Sequence, residues 1–314
     1  MLTQEQKEAR CYGLGGSDFG ALCGLSPYKT AYELFLSKRL PGEAPYIDNS
    51  PVSNAARRGN ALEPYILDLY EEHTGQPLAT REASIAYHSQ YPFLFANVDA
   101  INNEGQVVEA KSSSAHLKKM WGTPGTAQIP KMYLLQVAYY VEVRDCDYAD
   151  IIVYFLDDTW AVYRYNRNLA FGKSILDLGV RFWEENVMKK VPPAPMNTAD
   201  VIRMFPEPNE IEQISVTGEI KEALENYKRA KEMARNAENL AEANKLTIAK
   251  YMKDHTALVD TQGNYLATFN YRKGATRFNT KSFSVDHPDL YKKYLNEGAQ
   301  TRTFSIKEER EETK

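Results

Sequence analysis

The chain is poor in cysteine and has no long apolar run. Its three cysteines, Cys11, Cys23 and Cys146, are scattered through 314 residues. An odd, scattered set predicts a reducing environment without a disulfide framework, and it cannot supply the roughly four thiolates that an iron–sulfur cluster needs. No stretch reaches the roughly 18 apolar residues of a membrane span, and the N-terminus lacks the apolar core of a secretory signal. We therefore expect a cytoplasmic protein with no membrane partner.

Two kinds of catalytic motif are also missing. The five histidines show neither HxxxH nor HxE spacing, which argues against a catalytic zinc site. No GxxxxGKS or GxxxxGKT sequence occurs, so the chain has no P-loop for ATP. The net charge of −4 argues weakly against a nucleic-acid partner, but residues 1–217 carry −7 and residues 218–314 carry +3. Acidic residues that hold metal ions would make the catalytic part of the chain negative, so the overall charge does not exclude a nucleic-acid partner.

The first two thirds of the chain alternate between helical and strand patterns. Residues 54–75 predict an amphipathic helix, residues 93–98 a strand, and residues 130–143 a second helix. Ser17 stands where it can cap a short apolar helix. The pattern therefore predicts an α/β fold with a mixed central β-sheet flanked by helices.

The last third has a different composition. Three prolines between 192 and 195 break the chain. A long charged helix is predicted at 219–254, followed by short strands at 257–285 with a turn at Gly263. The predicted segments are a core domain at 1–195, a linker at 196–217, an extension of one long helix and short strands at 218–307, and a disordered tail at 308–314.

The most informative motif is Asp99 followed, after a turn, by Glu109-Ala-Lys111. A hairpin would bring Asp99 and Glu109 to one edge of the sheet, and Lys111 would share a strand face with Glu109. Two carboxylates and the Ala110 carbonyl make a hard-oxygen site suited to Mg²⁺ or Mn²⁺. Lys111 could then hold an attacking water. The alternative is a chance pattern on an exposed hairpin.

Two neighbouring helices add polar residues. Glu63 lies on the upstream helix, from which it could reach a metal site directly or through water. Gln136 and Tyr140 are four apart and share one face of the downstream helix. A glutamine buried there needs a polar partner. The alternatives are a solvated glutamate and an exposed glutamine on otherwise structural helices.

Four blocks of sequence occur in the order seen in the YqaJ-like viral recombinase family, and the chain resembles that family over about residues 8–190. The blocks are GLGGSDFGALCGLSPYKTAYELF, RRGNALEP, NVDAINNEGQVVEAKSS and YLLQVAYY. The family is related to phage lambda exonuclease and to the PD-(D/E)xK nucleases. The resemblance implies a restriction-endonuclease-like core and a Mg²⁺-dependent nuclease, with two ions, that degrades one strand of duplex DNA from its 5′ end. It also implies a phage or prophage origin, a single-strand-annealing recombinase as partner, and a trimeric ring.

The resemblance also assigns roles to single residues. Asp99 would bridge the ions, Glu109 and the Ala110 carbonyl would complete the first, and Glu63 would serve the second. Lys111 would position the nucleophile. The remaining assignments are Gln136 and Tyr140 as the Q-x₃-Y helix, and Arg10 and Ser17 as ligands of the terminal 5′-phosphate.

Departures and alternatives remain at several positions. Ala100 stands where many relatives have glycine, and Ala138 where a second glutamine is frequent. Arg10 could equally be a solvated helix end, and Ser17 a helix cap alone.

Basic and aromatic residues alternate in the extension. Arg272, Lys273 and Arg277 lie among aromatic residues in FNYRKGATRFNTKSF, a composition suited to DNA or to the annealing partner. The structural alternative is an amphipathic strand with a solvated basic face.

Two other functions are compatible with the same motifs. A structure-specific or restriction-type endonuclease would use the same site but cut circular DNA. A non-catalytic DNA-binding module would keep the fold without cleavage, although it has no need for Glu63, Asp99, Glu109 and Lys111 together.

Overall fold

A computed structural model describes residues 4–46, 52–81, 85–207, 213–296 and 302–307. The chain divides into two compact units, Met1–Met204 and Phe205–Lys314. Each unit is described by itself. Within the described ranges, no helix is long and apolar enough to cross a membrane.

Helices of the first unit surround a central sheet. They are α1 Gln4–Tyr12, α2 Asp18–Leu22, α3 Ala31–Ser37, α4 Asn54–Thr74, α5 Lys131–Arg144, α6 Leu169–Arg181 and α7 Thr198–Met204. A 3₁₀ helix, Ala115–Met120, precedes α5, and a π-helix, Phe182–Met188, continues α6.

Among the described residues of this unit, seven strands form two sheets. They are β1 Leu78–Arg81, β2 Ala86–Tyr87, β3 Phe95–Ala96, β4 Ala100–Asn102, β5 Val107–Ser113, β6 Tyr148–Phe155 and β7 Thr159–Asn166. The main sheet has the order β1-β4-β5-β6-β7, in which β5 and β6 run parallel and the other pairs antiparallel. The sheet is therefore mixed, and its single parallel pair is joined across α5.

Alternate residues of the sheet enter two separate cores. Val107, Ile151 and Val153 pack with the α5 side chains, whereas Val108 and Ile152 pack with the buried face of α4. Successive side chains of a strand point to opposite faces, so the two helices cover opposite sides. The predicted α/β fold, with a mixed central sheet flanked by helices, is confirmed.

Helix α4 begins and ends where its sequence predicts. The Ser53 side chain accepts a hydrogen bond from the Ala56 amide at 3.1 Å, and Gly75 adopts a left-handed conformation with φ of 66° after the last turn. Between these caps, Ile66, Leu67 and Tyr70 are buried against the sheet. The cap bonds satisfy end groups that the helix itself cannot pair.

The strand predicted at 93–98 is wrong in extent. Only Phe95–Ala96 forms a strand, and it pairs with β2 in a small sheet of its own. The Leu14 amide donates to the Phe93 carbonyl at 2.7 Å, and the Phe95 amide donates to the Leu14 carbonyl at 3.0 Å. The segment is thus held by the glycine-rich stretch before α2 rather than by the main sheet.

Ser17 does not cap α2 with its side chain. Its backbone is already helical, and the hydroxyl makes no capping hydrogen bond. The Asp18 carboxylate instead accepts from the Gly15 amide at 3.1 Å. The acidic residue therefore fixes the turn that precedes the helix.

Part of the predicted linker is a helix of the first unit. In α7, the buried Asp200 accepts hydrogen bonds from the Thr30 hydroxyl and the Met196 amide, both at 2.9 Å. The bond from Thr30 attaches α7 to the start of α3, and the boundary between the units follows Met204.

The described part of the second unit contains one long helix, one hairpin and two short helices. They are α8 Gly218–Met252, β8 Ala257–Val259, β9 Tyr265–Thr268, α9 Thr280–Asp286 and α10 Pro288–Lys293. The strand predicted for residues 280–285 is wrong, since these residues belong to helix α9. The Asn279 side chain caps this helix by accepting a hydrogen bond from the Ser282 amide. The tail predicted at 308–314 lies outside the described residues.

Candidate active site

The β4–β5 hairpin and α5 bring most of the predicted site residues together. Asp99 directly precedes β4, and Glu109 and Lys111 lie two residues apart on β5. Both lie an even number of residues from Val107, so their side chains lie on the same face of the sheet as Val107, the face that α5 covers. Ala110 packs with the α4 core on the other face. Strand alternation alone thus directs the carboxylate and the ammonium group to the same side.

Glu109 is buried, and its two oxygens differ. Oε1 accepts hydrogen bonds from the Gln136 amide at 2.8 Å and from the Lys111 ammonium. Oε2 is buried, and among the described residues it has no hydrogen-bond partner. A buried carboxylate oxygen without a donor is costly unless a cation compensates it.

The electrostatics of the pair follow from burial and neighbouring charge. Desolvation, and then the negative charge of Asp99, raise the pKa of Glu109 to about 8, although Lys111 opposes them. Desolvation is the largest single effect on Lys111 and acts to lower its pKa. The charges of Glu109 and Asp99 together outweigh desolvation, so the pKa of Lys111 is raised. The Lys111 ammonium also lies 5.4 Å from the centroid of the Tyr133 ring. Burial and the nearby Asp99 therefore disfavour the ionised form of Glu109, which a bound cation would favour.

Most of the predicted site residues line a cavity of about 690 Å³. Its wall includes residues of the N-terminal segment, α4, the hairpin and α5. The predicted residues among them are Arg10, Ser17, Glu63, Asp99, Glu109, Lys111, Gln136 and Tyr140. The Ala110 amide donates to Asp99 Oδ2 at 2.9 Å, which fixes that carboxylate beside the strand.

The donor set suits a hard divalent cation. The carboxylates of Glu63, Asp99 and Glu109 line the cavity, and Glu109 Oε2 is buried with no donor among the described residues. In the described part of the chain, however, no three His, Cys, Asp or Glu side chains are arranged so that they could hold an ion. Instead, the Lys111 ammonium donates a hydrogen bond to Glu109 Oε1, and the Ala110 amide donates one to Asp99 Oδ2. Oxygen ligands of this kind fit Mg²⁺ or Mn²⁺ better than zinc.

Close packing of Gly16 positions the glutamine. A Cβ atom on Gly16 would lie 2.5 Å from the Tyr140 ring and 3.1 Å from Gln136 Cγ. The Gln136 amide also donates to the Tyr140 hydroxyl at 3.0 Å. The absence of a side chain at 16 therefore allows α5 to approach, and it keeps Gln136 directed at Glu109.

Sequence reasoning missed a buried ion pair behind Arg10. The Lys38 ammonium donates to Asp18 Oδ2 and to the Arg10 carbonyl, both at 2.8 Å, and only 2% of its side chain is exposed. This lysine ties the end of α1 to the start of α2, the two places that carry Arg10 and Ser17. No local pattern in the sequence marks Lys38, because its partners lie 20 and 28 residues away.

Other cavity residues were also missed. Tyr28 and Lys29 follow the Ser26-Pro27 turn and line the cavity, and Tyr133 lies one turn before Gln136 on α5. The aromatic composition of α5 was the available signal for Tyr133. The predicted DNA contacts Arg272, Lys273 and Arg277 belong to the second unit, where all three are exposed.

Comparison with known proteins gives a family match for the region that forms this site. The model of the YqaJ-like viral recombinase domain matches residues 5–147. The protein YqaJ of Bacillus subtilis strain 168 is 29% identical over 315 residues, which cover 98% of this chain and 95% of that protein.

Solved structures give weaker matches. An alkaline exonuclease from Laribacter hongkongensis is 20% identical with a TM-score of 0.48, and the match covers 60% of this chain and 94% of that chain. A phage-related exonuclease from Haemophilus somnus 129PT is 13% identical with a TM-score of 0.37, over 58% of this chain and 99% of that chain. Residues 5–147, which hold every predicted residue of the cavity, thus match the YqaJ-like viral recombinase domain, and the resemblance read from the sequence motifs is confirmed.

Proposed function

We propose that the chain is a Mg²⁺-dependent exonuclease that degrades one strand of duplex DNA from its 5′ end. The observation that carries this is Glu109 Oε2, which is buried with no donor among the described residues, in a cavity whose wall also includes Glu63, Asp99 and Lys111. The match to a viral recombinase domain supports DNA as the substrate. The product would be single-stranded DNA for an annealing recombinase in phage or prophage recombination, and the resemblance favours a trimeric ring.

Each residue of the cavity has a task in this reaction. Bound Mg²⁺, with two ions in the proposed site, would stabilise charge on the phosphate oxygens and lower the pKa of a coordinated water. Asp99, Glu109, Glu63 and the Ala110 carbonyl would hold the ions. Gln136 donates to Glu109 Oε1 and so leaves Oε2 available, while Lys111 orients the water that attacks the phosphorus.

Residues of the N-terminal segment in the same cavity would recognise the DNA end. Arg10 and Ser17 line the cavity on segments that Lys38 joins, and the Lys29 side chain lines it as well. An arginine binds phosphate through several donors in a fixed geometry. We assign the terminal 5′-phosphate to Arg10 and Ser17.

The test is digestion of linear duplex DNA labelled separately at its 5′ and 3′ ends, with Mg²⁺ or with EDTA. Wild type, Lys111→Ala and the control Lys173→Ala are compared, because Lys173 is an exposed lysine paired with Asp177 on α6. We expect Mg²⁺-dependent release of the 5′ label by wild type and the control only, and no digestion of closed circles. Cleavage of circles would support the endonuclease, and DNA binding without cleavage under any metal would support a binding module.

A further inference from the structure

The second unit carries a basic surface that the nuclease site does not use. Residues 261–285 contain four basic residues and no Asp or Glu, a net charge of +4. All four lie within residues 269–283, which we call the basic segment. They are Arg272, Lys273, Arg277 and Lys281. Every residue from 268 to 282 is exposed, so the charge faces solvent rather than a packed interior.

These four cations lack carboxylate partners within the described ranges. The contrast is with the first unit, where several partly exposed arginines contact an Asp or Glu. They are Arg81, Arg164, Arg167 and Arg203. A cluster of unpaired cations in an acid-free stretch attracts a polyanion, because each phosphate that it neutralises releases counterions from the nucleic acid.

Two aromatic side chains stand among the cations with their rings open to solvent. Tyr271 is fully exposed, and Phe278 is 71% exposed. Phe278 is not loose, because its ring packs at 4.9 Å from the Phe283 ring, which in turn packs at 5.2 Å from His287. One ring is thus held in place with its other side free, which is how a stacking platform for an unpaired base is built.

We propose that the basic segment binds single-stranded DNA, with the four cations on phosphates and with Tyr271 and Phe278 stacked on bases. A duplex also offers phosphates, but its bases are already stacked, so the exposed rings favour a single strand. The inference rests on the proposed function only in the choice of DNA, since the nuclease would leave a single strand. The basic segment would retain the product strand that the annealing recombinase next receives.

The test measures the affinity of the full-length chain for a fluorescein-labelled oligo-dT of about 16 nucleotides, in EDTA, over a series of NaCl concentrations. Arg272→Gln, Lys273→Gln, Arg277→Gln and Lys281→Gln are combined in one variant. We expect roughly tenfold or more weaker binding, and a plot of log K against log salt that is shallower by up to about 3. Tyr271→Ala should weaken oligo-dT binding by roughly five- to 150-fold, while Tyr271→Phe retains it and neither changes the binding of blunt duplex.

Helix α8 offers a matched control. Lys221, Arg229, Lys231 and Arg235 are four exposed cations of the same unit that lie among glutamates, and their combined change to Gln removes the same charge. Oligo-dT affinity and salt slope unchanged in the basic-segment variant, or reduced equally in the α8 variant, would overturn the proposal. EDTA prevents cleavage, so the outcome is independent of the nuclease: a chain that binds oligo-dT through the segment but digests no DNA contradicts only the proposed function.

Discussion

At the scale of single residues, the hydrogen bond from Gln136 to Glu109 is the contact most open to test. We expect Gln136→Leu to lower Mg²⁺ affinity or activity by roughly 10–100-fold, because Glu109, a proposed metal ligand, loses the partner that orients it. Digestion rates across a Mg²⁺ titration would measure the change. Tyr140→Phe is the matched control, since it removes only the hydroxyl to which Gln136 also donates. Equal rates for Gln136→Leu and wild type would contradict the assignment.

The buried pair of Asp18 and Lys38 gives a prediction for stability. We expect Asp18→Asn to lower the free energy of unfolding by about 3–5 kcal/mol, because it leaves the Lys38 charge buried without its partner. Urea denaturation would measure this. The double variant Asp18→Asn with Lys38→Met should lose less than the sum of the two single changes. Strict additivity would contradict a direct interaction.

The same pair predicts a pH dependence. Burial, the largest effect, opposes ionisation of Asp18, but the charge and hydrogen bond of Lys38, together with Arg10 and the Gly15 amide, lower its pKa. A carboxyl group with a depressed pKa stabilises the fold above its unfolded value of 3.8. That stability is lost as the pH falls below 3.8 and through the folded pKa. Asp18→Asn should lack this component, which denaturation curves measured between about pH 5 and pH 2 would show.

At the scale of elements, the approach of α5 to the glycine-rich turn depends on a missing side chain. Gly16→Ala should reduce activity while the chain stays folded, because the new methyl group displaces Tyr140 and Gln136. Gly20→Ala is the control, since its nearest neighbour would be Met132 Cβ at an ordinary 3.6 Å. Nuclease rates and circular dichroism of both variants test this. Similar rates in the two variants would show that the close contact is unimportant.

The element scale also shows what sequence reasoning can reach. Glu109 and Lys111 were predicted to share a face because strand spacing is local, and Gln136 and Tyr140 because helix spacing is local. The pairing of Phe95 with Leu14 and the contact of Lys38 with Asp18 were not predicted. Both join segments that are distant in sequence, and no periodicity records such a contact.

At the scale of the whole molecule, the two units should respond differently to metal. Mg²⁺ that binds only the folded first unit should stabilise that unit by about 2.7 kcal/mol at a hundredfold excess over its Kd. Calorimetry of the full chain, with NaCl at matched ionic strength as control, should show a Mg²⁺-dependent shift of one transition. Glu109→Gln should abolish the shift. An equal shift of all unfolding transitions would contradict a site confined to the first unit.

The parallel pairing of β5 with β6 has a consequence for how such a site can vary. Helix α5 is the crossover that joins these strands, so a single stretch of about forty residues, from Asp99 to Tyr140, carries most of the proposed reaction chemistry. Glu63, Arg10 and Ser17 arrive on separate stretches of chain. In the proposed function, the residues that select the DNA end are thus encoded apart from most of those that hydrolyse the DNA, so end selection can diverge among related chains while the Asp99–Tyr140 stretch is inherited intact.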